Sequence, residues 1–217
     1  MKASPAGMLM SIVEIDPADT VDFNNWSDRE HLPERVGIPG FVDARRFVST
    51  VNANSYLSLY QTETFEILDS AAYRQALANQ TAWSRTNLQR LLAVHRVIAR
   101  ISARQGAVWG GAALLARIPE PQNKPAARAA IEAELAEFAG RDGVSSALLM
   151  EADPVLSKPL GAAEPPPGSA DWYVLIEGLR ADGLDVLSGP FGAALRTAAG
   201  TMGKCETWRL ISALPRL

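Results

Sequence analysis

Glu30 and His31 form the densest group of titratable side chains in a chain that holds only two histidines. An imidazole with an ordinary pKa of about 6.5 exchanges protons at working pH, and a neighbouring carboxylate can orient the ring or raise that pKa. Arg45 and Arg46 follow on the next apolar segment, where a buried guanidinium could bind a carboxylate or enolate oxygen through two hydrogen bonds. These residues are the catalytic candidates, and the chemistry they suggest is general acid/base work on a small oxygenated organic acid or phenol.

The same stretch also has a purely structural interpretation. His31 and Glu34 could tie the end of a helix to a strand, with Trp26 and Phe41 as aromatic anchors on either side of the Pro39-Gly40 turn. The sequence favours this structural role over catalysis but leaves both open.

A second set of residues could bind the substrate. His95 lies in the middle of an apolar segment, and Tyr56 and Tyr60 share one face of a predicted strand. If these faces line a cavity, His95 and one tyrosine could form a proton-transfer pair; if His95 faces outward, it is an ordinary surface residue. Trp26 and Trp83 complete the predicted substrate-binding set.

Several classes of function are disfavoured by what the chain lacks. A formal net charge of −3 gives no electrostatic footprint for nucleic acid or an anionic membrane surface, and no apolar run reaches the roughly 18 residues of a spanning helix. Two scattered histidines and one cysteine do not provide metal-ligand spacing. Because Cys205 is alone, no intrachain disulfide can form, and the expected location is the reducing cytoplasm. The N-terminal residues are not expected to act as a signal peptide, and no cofactor is expected.

The first half of the chain must position these candidates with a short series of elements. Apolar alternation and turn residues predict strands at 8–15, 41–49, 56–62 and 92–102. One helix is predicted to start near Val21. A second helical region is predicted over 65–90, in two pieces, with Thr81 as the cap of the second piece. This order, βαββαβ, is the ferredoxin-like pattern.

The second half repeats the order of elements without repeating the letters. Strands are predicted at 107–118, 144–151, 171–178 and 204–213, helices at 125–139 and 182–200 with an interruption at 188–190, and a long Pro-rich loop at 152–170. The modules are therefore predicted to span 8–104 and 105–214. Several strands look apolar on both faces, which favours sheets that are covered on both sides. The predicted fold class is therefore α+β, with tandem ferredoxin-like repeats that form a pseudo-dimeric α+β barrel. A small-molecule cavity is expected between or beside its sheets.

The motif stretch also resembles a known signature. Trp26, Glu30-His31-Leu-Pro-Glu-Arg35, Pro39-Gly-Phe41 and Arg45-Arg46 resemble the dimeric α+β barrel proteins, and more narrowly the EthD-like group and its uncharacterised relatives. Segments 68–73 and 81–83 add to the likeness, which covers roughly residues 9–104; the second half resembles the family by element order alone. The resemblance implies a fused pair of modules that form a homodimer in simpler relatives, with the motif kept in one module only.

The resemblance implies a small organic ligand and three functions that stay open. The favoured one is a cofactor-independent isomerase, cyclase or oxygenase of an aromatic or polyketide-like compound. The alternative is a non-enzymatic ligand-binding or assembly module. A minor alternative is haem binding or degradation, for which such relatives use an asparagine on the first strand, a tryptophan and a histidine; here no asparagine lies on that strand. Further pairing of the fused barrels into a homodimer is also left open.

Overall fold

The computed structural model describes residues 5–159 and 162–216. The chain divides into two compact units: the first runs to Ala99 and takes up the chain again from Ile211, and the second is Arg100–Leu210. The modules expected from element order, 8–104 and 105–214, remain a prediction, because the compact units divide the chain differently at its C-terminal end.

The strands run antiparallel in every pair whose register is known. In chain order, β1 to β8 are Gly7–Ile15, Phe41–Ser49, Ser55–Thr62, Leu91–Gln105, Ala112–Ile118, Val144–Ala152, Trp172–Gly178 and Cys205–Pro215. The strand order β1-β3-β2-β8-β5-β7-β6-β4 closes as a barrel. The predicted fold class, an α+β barrel with ferredoxin-like element order, is confirmed.

The helices lie between these strands. In chain order, α1 to α7 are Thr20–Trp26, Leu32–Val36, Ala71–Ala78, Ala82–Gln89, Lys124–Ala139, Pro154–Ser157 and Ala181–Ala199. A π-helical turn, Ser27–His31, joins α1 to α2, and 3-10 turns occupy Pro17–Asp19 and Phe65–Asp69. Across the described ranges, no helix is long and apolar enough to cross a membrane.

In the first unit, β3 pairs with β1 on one side and with β2 on the other. Tyr60 stands opposite Leu9 and Ala44, and Ser58 opposite Arg46, so these side chains share one face of the sheet. Phe23 and Trp26 of α1 pack with Tyr56 at the end of that same face. This face is called the helix side of the first unit below.

In the second unit, β5 lies between β7 and β8, and β7 pairs with β6. The predicted apolar stripe of α5 is buried, with Ile131, Leu135 and Phe138 at most 1 % exposed. The Phe138 ring meets Phe191 of α7 edge-on, with 5.0 Å between the ring centroids. Asn123 caps the helix by accepting a hydrogen bond from the Ala126 amide.

Three expectations about the second unit need correction. The predicted break at 188–190 is wrong, because α7 runs continuously through Pro190. Its residues Leu184 and Phe191, on either side of that segment, are both buried in the apolar core of the unit. Strand β5 begins at Ala112 rather than at 107. The loop 152–170 contains the short helix α6, which Asp153 caps; residues 160 and 161 of that loop lie outside the described residues.

Candidate functional site

The motif stretch is held in place by α4. The Trp26 indole donates a hydrogen bond to the Ser84 hydroxyl at 3.1 Å. The Glu30 Oε1 atom accepts hydrogen bonds from Ser84 at 2.9 Å and from Thr81 at 2.5 Å. Thr81 also caps α4, as the sequence predicted, by accepting from the Ser84 amide. Glu30 therefore fastens the π turn to α4, and such turns are frequent where a helix serves a functional site.

His31 lies between two aromatic rings. The Trp26 ring covers one side, with 4.5 Å between centroids and a 31° tilt, and Tyr60 meets the imidazole edge-on at 6.0 Å. The Nδ1 atom is buried and has no hydrogen-bond partner among the described residues. Burial, followed by the positive charges of Arg35 and Arg46, lowers the pKa of His31 to about 3. The ring is therefore neutral at neutral pH.

One helical turn after His31, two further ionisable side chains also have a buried polar atom without a hydrogen-bond partner among the described residues. Arg35 is 4 % exposed, and its buried Nη1 atom makes no hydrogen bond within the described part of the chain. The Oε1 atom of the adjacent Glu34 lies 3.9 Å from Nη1, which is too far for a hydrogen bond. The buried Oε2 atom of Glu34 also has no partner among the residues described. We call His31, Glu34 and Arg35 the α2 cluster.

The spacing of the α2 cluster explains why its members meet. Positions i, i+3 and i+4 lie on one face of a helix, so residues 31, 34 and 35 present their side chains together. Each buried polar group without a partner costs roughly 1–3 kcal/mol, more when it is charged. Three such groups within five residues therefore lower the stability of the folded protein. A ligand that formed hydrogen bonds or ion pairs with them would offset that loss of free energy.

Tyr60 adds a protonated phenol to the helix side. It is 2 % exposed, and burial raises its pKa to about 12, although the charges of Arg35 and Arg46 act in the opposite direction. The phenol therefore keeps its proton at neutral pH and can donate a hydrogen bond.

The two predicted arginines lie on opposite faces of β2 and both already have carboxylate partners. Arg46 faces the helix side, where it donates to Asp28 and to Asn24, each at 2.8 Å. Its guanidinium also lies over the rings of Phe23 and Tyr56, 5.4 Å from each centroid. Arg45, on the other face, pairs with Asp43 at 3.2 Å. Their roles as anion clamps remain predictions.

The other predicted binding residues are spread around the first unit. The Tyr56 hydroxyl accepts a hydrogen bond from Asn24, and the Trp83 indole donates one to Asp22 at 3.1 Å. His95 is half-buried on β4. Its neighbour Arg96 donates to the Tyr73 hydroxyl of α3, so alternation along the strand turns His95 to the opposite face. The structure thus brings His31 and Tyr60 together, and the role of His95 in substrate binding remains a prediction.

A groove lies between α2 and α3, with a volume of about 480 Å³. Its walls include Pro33, Glu34, Ile38, Ala72, Gln75 and Asn79. Glu34 belongs both to this wall and to the α2 cluster. We call this space the α2–α3 groove.

Sequence reasoning missed Arg35 as a site residue. It concentrated on Arg45 and Arg46 because they lie on a clear strand. The i, i+4 spacing of His31 and Arg35 could have indicated that their side chains share one face of a helix. That prediction requires the chain to remain helical after Pro33. Pro33 is the second residue of α2, directly after the π turn, and the chain stays helical through it.

Metal and haem sites find no support in the described residues. No group of three or more histidine, cysteine, aspartate or glutamate side chains there could hold a metal ion. For haem, the candidate tryptophan and one asparagine are already engaged, because Trp83 and Asn87 both donate to Asp22. Asn24 is likewise bound to Tyr56 and Arg46.

Comparison with known proteins gives the fold its name. No protein-family model matches the chain, and no curated protein matches its sequence. Among solved structures, an anthrone oxidase-like protein superposes with a TM-score of 0.69 at 9 % identity, covering 99 % of this chain and 94 % of that one. The chain has the dimeric α+β barrel fold.

Two further dimeric α+β barrel structures superpose on at least 95 % of this chain and of their own. A candidate monooxygenase from Lactobacillus acidophilus NCFM has a TM-score of 0.63 at 9 % identity, with 98 % of this chain and 97 % of that one covered. A monooxygenase-like protein from Listeria innocua has a TM-score of 0.52 at 8 % identity, with 95 % of each chain covered. At these identities the likeness concerns the dimeric α+β barrel fold and not the activity.

Proposed function

We propose that the chain binds a small aromatic or polyketide-like compound on the helix side of its first unit and acts on it as a cofactor-independent isomerase, cyclase or oxygenase. The observation that carries this proposal is His31, whose buried Nδ1 atom has no hydrogen-bond partner among the described residues and whose ring lies against Trp26 and Tyr60. In a neutral imidazole one ring nitrogen carries the hydrogen and the other can accept a proton, so the neutral His31 ring can act as a base.

The proposed step is proton transfer at a position next to a carbonyl. His31 takes the proton from the substrate carbon next to the carbonyl, the electrons of the C–H bond move toward the carbonyl oxygen, and an enolate and an imidazolium form. Burial, followed by the positive charges of Arg35 and Arg46, lowers the pKa of His31 in the free protein. A developing enolate between them would offset those charges, so the imidazole becomes more basic as the substrate loses its proton.

The fate of the enolate differs among the three reactions. In an isomerase or cyclase, His31 returns the same proton to another atom of the substrate, so no second reactant is required. An oxygenase would need dioxygen as a co-substrate to take the electrons of the enolate. The solved structures with the same fold include an anthrone oxidase-like protein and a candidate monooxygenase, which supports this group of reactions without choosing among them.

The alternative is a non-enzymatic ligand-binding or assembly module. Two observations favour it. A free-state pKa of about 3 makes His31 a weak base, and Glu30 is bound to α4 through Thr81 and Ser84. In that case the motif builds the fold and the ligand is held without being transformed.

A proton-exchange experiment separates the two functions. Anthrone and related enolisable aromatic ketones are incubated with the protein in D₂O, and loss of the acidic C–H signals is followed by NMR. The enzyme should accelerate exchange over buffer, and His31→Gln should reduce that acceleration about 100-fold or more. His95→Gln is the matched control and should keep the full rate.

The unfolding free energy of each variant is measured alongside the exchange rate. The enzymatic proposal expects His31→Gln to change it by less than about 1 kcal/mol, because no hydrogen bond at Nδ1 is lost. Absence of any acceleration across the ketones, with His31→Gln lowering stability by about 1–3 kcal/mol, would instead establish the structural role.

A further inference from the structure

Arg35 carries a buried positive charge that the described residues leave incompletely paired. Arg46, by contrast, has both a carboxylate and an amide oxygen at 2.8 Å. Arg35 has a carboxylate oxygen only at 3.9 Å, no hydrogen bond at Nη1, and the Tyr73 ring 6.0 Å from its guanidinium carbon. Burying a guanidinium in this way is costly, and a planar anion bound in bidentate fashion would lower that cost.

Glu34 connects this guanidinium to the surface. Its side chain is one quarter exposed, it lines the α2–α3 groove, and its carboxylate lies 3.9 Å from Arg35. The carboxylate is badly placed in its present position, because Oε1 is beyond hydrogen-bond distance and Oε2 is buried without a partner among the described residues. Rotation of Glu34 into water would restore its hydration and open the groove toward Arg35.

The groove itself suits a ligand that is aromatic at one end and charged at the other. It is a surface groove of about 480 Å³ that is largely open to solvent. Pro33, Ile38 and Ala72 supply apolar wall, while Gln75 and Asn79 supply amide groups that can orient a polar substituent.

We propose that the α2–α3 groove admits an aromatic carboxylate or enolate, and that the anionic end displaces the Glu34 carboxylate and pairs with Arg35. This inference rests on the proposed function, since it names the chemical class of the substrate. It makes Arg35 the specificity-determining residue for a negative charge. In the free protein, the Glu34 carboxylate occupies the place that the anionic group of the ligand takes in the complex.

Two substitutions should then act in opposite directions. Arg35→Gln removes the counter-ion and should weaken binding of an anion. Glu34→Gln removes the competing carboxylate and should strengthen it. Arg29→Gln and Glu63→Gln are the matched controls, because each makes the same change of charge at an exposed side chain of the first unit.

The test is calorimetric titration of the full chain at pH 7.5 with three probes of similar size: 2-naphthoate, the neutral 2-naphthamide and the cationic 2-naphthylmethylamine. The unmodified protein should bind the carboxylate at least about 10-fold more tightly than the amide. Arg35→Gln should abolish that preference, Glu34→Gln should tighten carboxylate binding about 3-fold or more, and both controls should stay within about 2-fold of the unmodified protein.

Several outcomes would overturn the inference. Equal affinity for the carboxylate and the amide would show that no anion site exists. Preference for the amine, lost in Glu34→Gln, would make Glu34 the ligand-binding group in place of Arg35. If Arg35→Gln fails to fold, the three probes on the unmodified protein and on Glu34→Gln still decide the matter. Selective binding of the carboxylate together with no acceleration of proton exchange would contradict the proposed function but support this inference.

Discussion

The helix sides of the two units differ in composition: that of the second unit is apolar, and that of the first also contains polar and charged side chains. In the second unit, α5 and α7 cover the sheet with a continuous apolar core that runs from Ile131 and Phe138 to Phe191 and Leu195. In the first unit, the corresponding side has an apolar cluster around Phe23 and Trp26, but it also contains His31, Arg46 and Tyr60. The second unit therefore shows what this fold needs for stability alone, and the polar groups of the first unit go beyond that need.

Buried polar atoms without a hydrogen-bond partner sharpen this contrast. Within the described ranges, those of the second unit include the Ser145 hydroxyl and the Trp208 indole, which are neutral and lie on different strands. Those of the first unit belong to the α2 cluster, are all ionisable and fall within five residues. Scattered neutral atoms cost a little stability; ionisable groups concentrated on one helix face indicate a site that a ligand completes.

The largest effect should come from breaking the apolar core of the second unit. Phe191→Ala removes a fully buried ring that meets Phe138 at 5.0 Å and leaves a cavity. We expect the unfolding free energy to fall by about 3–5 kcal/mol, measured by urea denaturation. Val186→Ala, an exposed change on the same helix, should stay within about 0.5 kcal/mol. A loss below about 1 kcal/mol in Phe191→Ala would mean that this core does not carry the stability assigned to it.

A smaller effect should come from detaching the π turn of the first unit. Glu30→Ala removes the acceptor for Thr81 and Ser84, so the unfolding free energy should fall by about 1–3 kcal/mol. The exposed Glu63→Ala should change it by less than about 0.5 kcal/mol. Equal behaviour of the two variants in thermal melts would remove Glu30 from the structural part of the motif and return it to the catalytic candidates.

Much of the fold could be predicted because strong local signals agreed with the tertiary structure. Strand 41–49 and the Thr81 cap appear as predicted, and α5 differs by one residue at its start. The helix break at 188–190 was wrong because propensity alone penalises Pro190, whereas burial of Leu184, Phe191 and Leu195 on one face holds α7 together. Local preference lost to packing that no short window of sequence reveals.

The site could be predicted only in part. His31 and its aromatic neighbour Trp26 stood out by residue type and spacing. Arg35 did not, because its burial and its lack of a close partner depend on how α2 lies against β2 and α3. Arg46 looked like a free clamp in the sequence, and its partners Asp28 and Asn24 come from elements 18 and 22 residues earlier. Whether a charge is already neutralised is a property of the folded chain.

The environment of His31 also makes a prediction about pH. Its pKa is lowered to about 3 in the folded protein and is about 6.5 in an unfolded chain. The unfolded state therefore binds the extra proton first as the pH falls, so the contribution of His31 to stability is fully present above about pH 6.5 and is lost progressively toward about pH 3. The slope is at most about 1.4 kcal/mol per pH unit, and it should disappear in His31→Gln.

The most direct measurement is an NMR titration of the two imidazole rings, with His95→Gln used to assign the signals. We expect the His31 ring to stay neutral from about pH 8 down to about pH 4, and 2-naphthoate to move its midpoint upward by adding negative charge near Arg35 and Arg46. A His31 midpoint near the ordinary value of about 6.5 in the free protein would contradict the proposed site. The ring would then be solvated, and the α2 cluster would not be the buried, unpaired group on which that site depends.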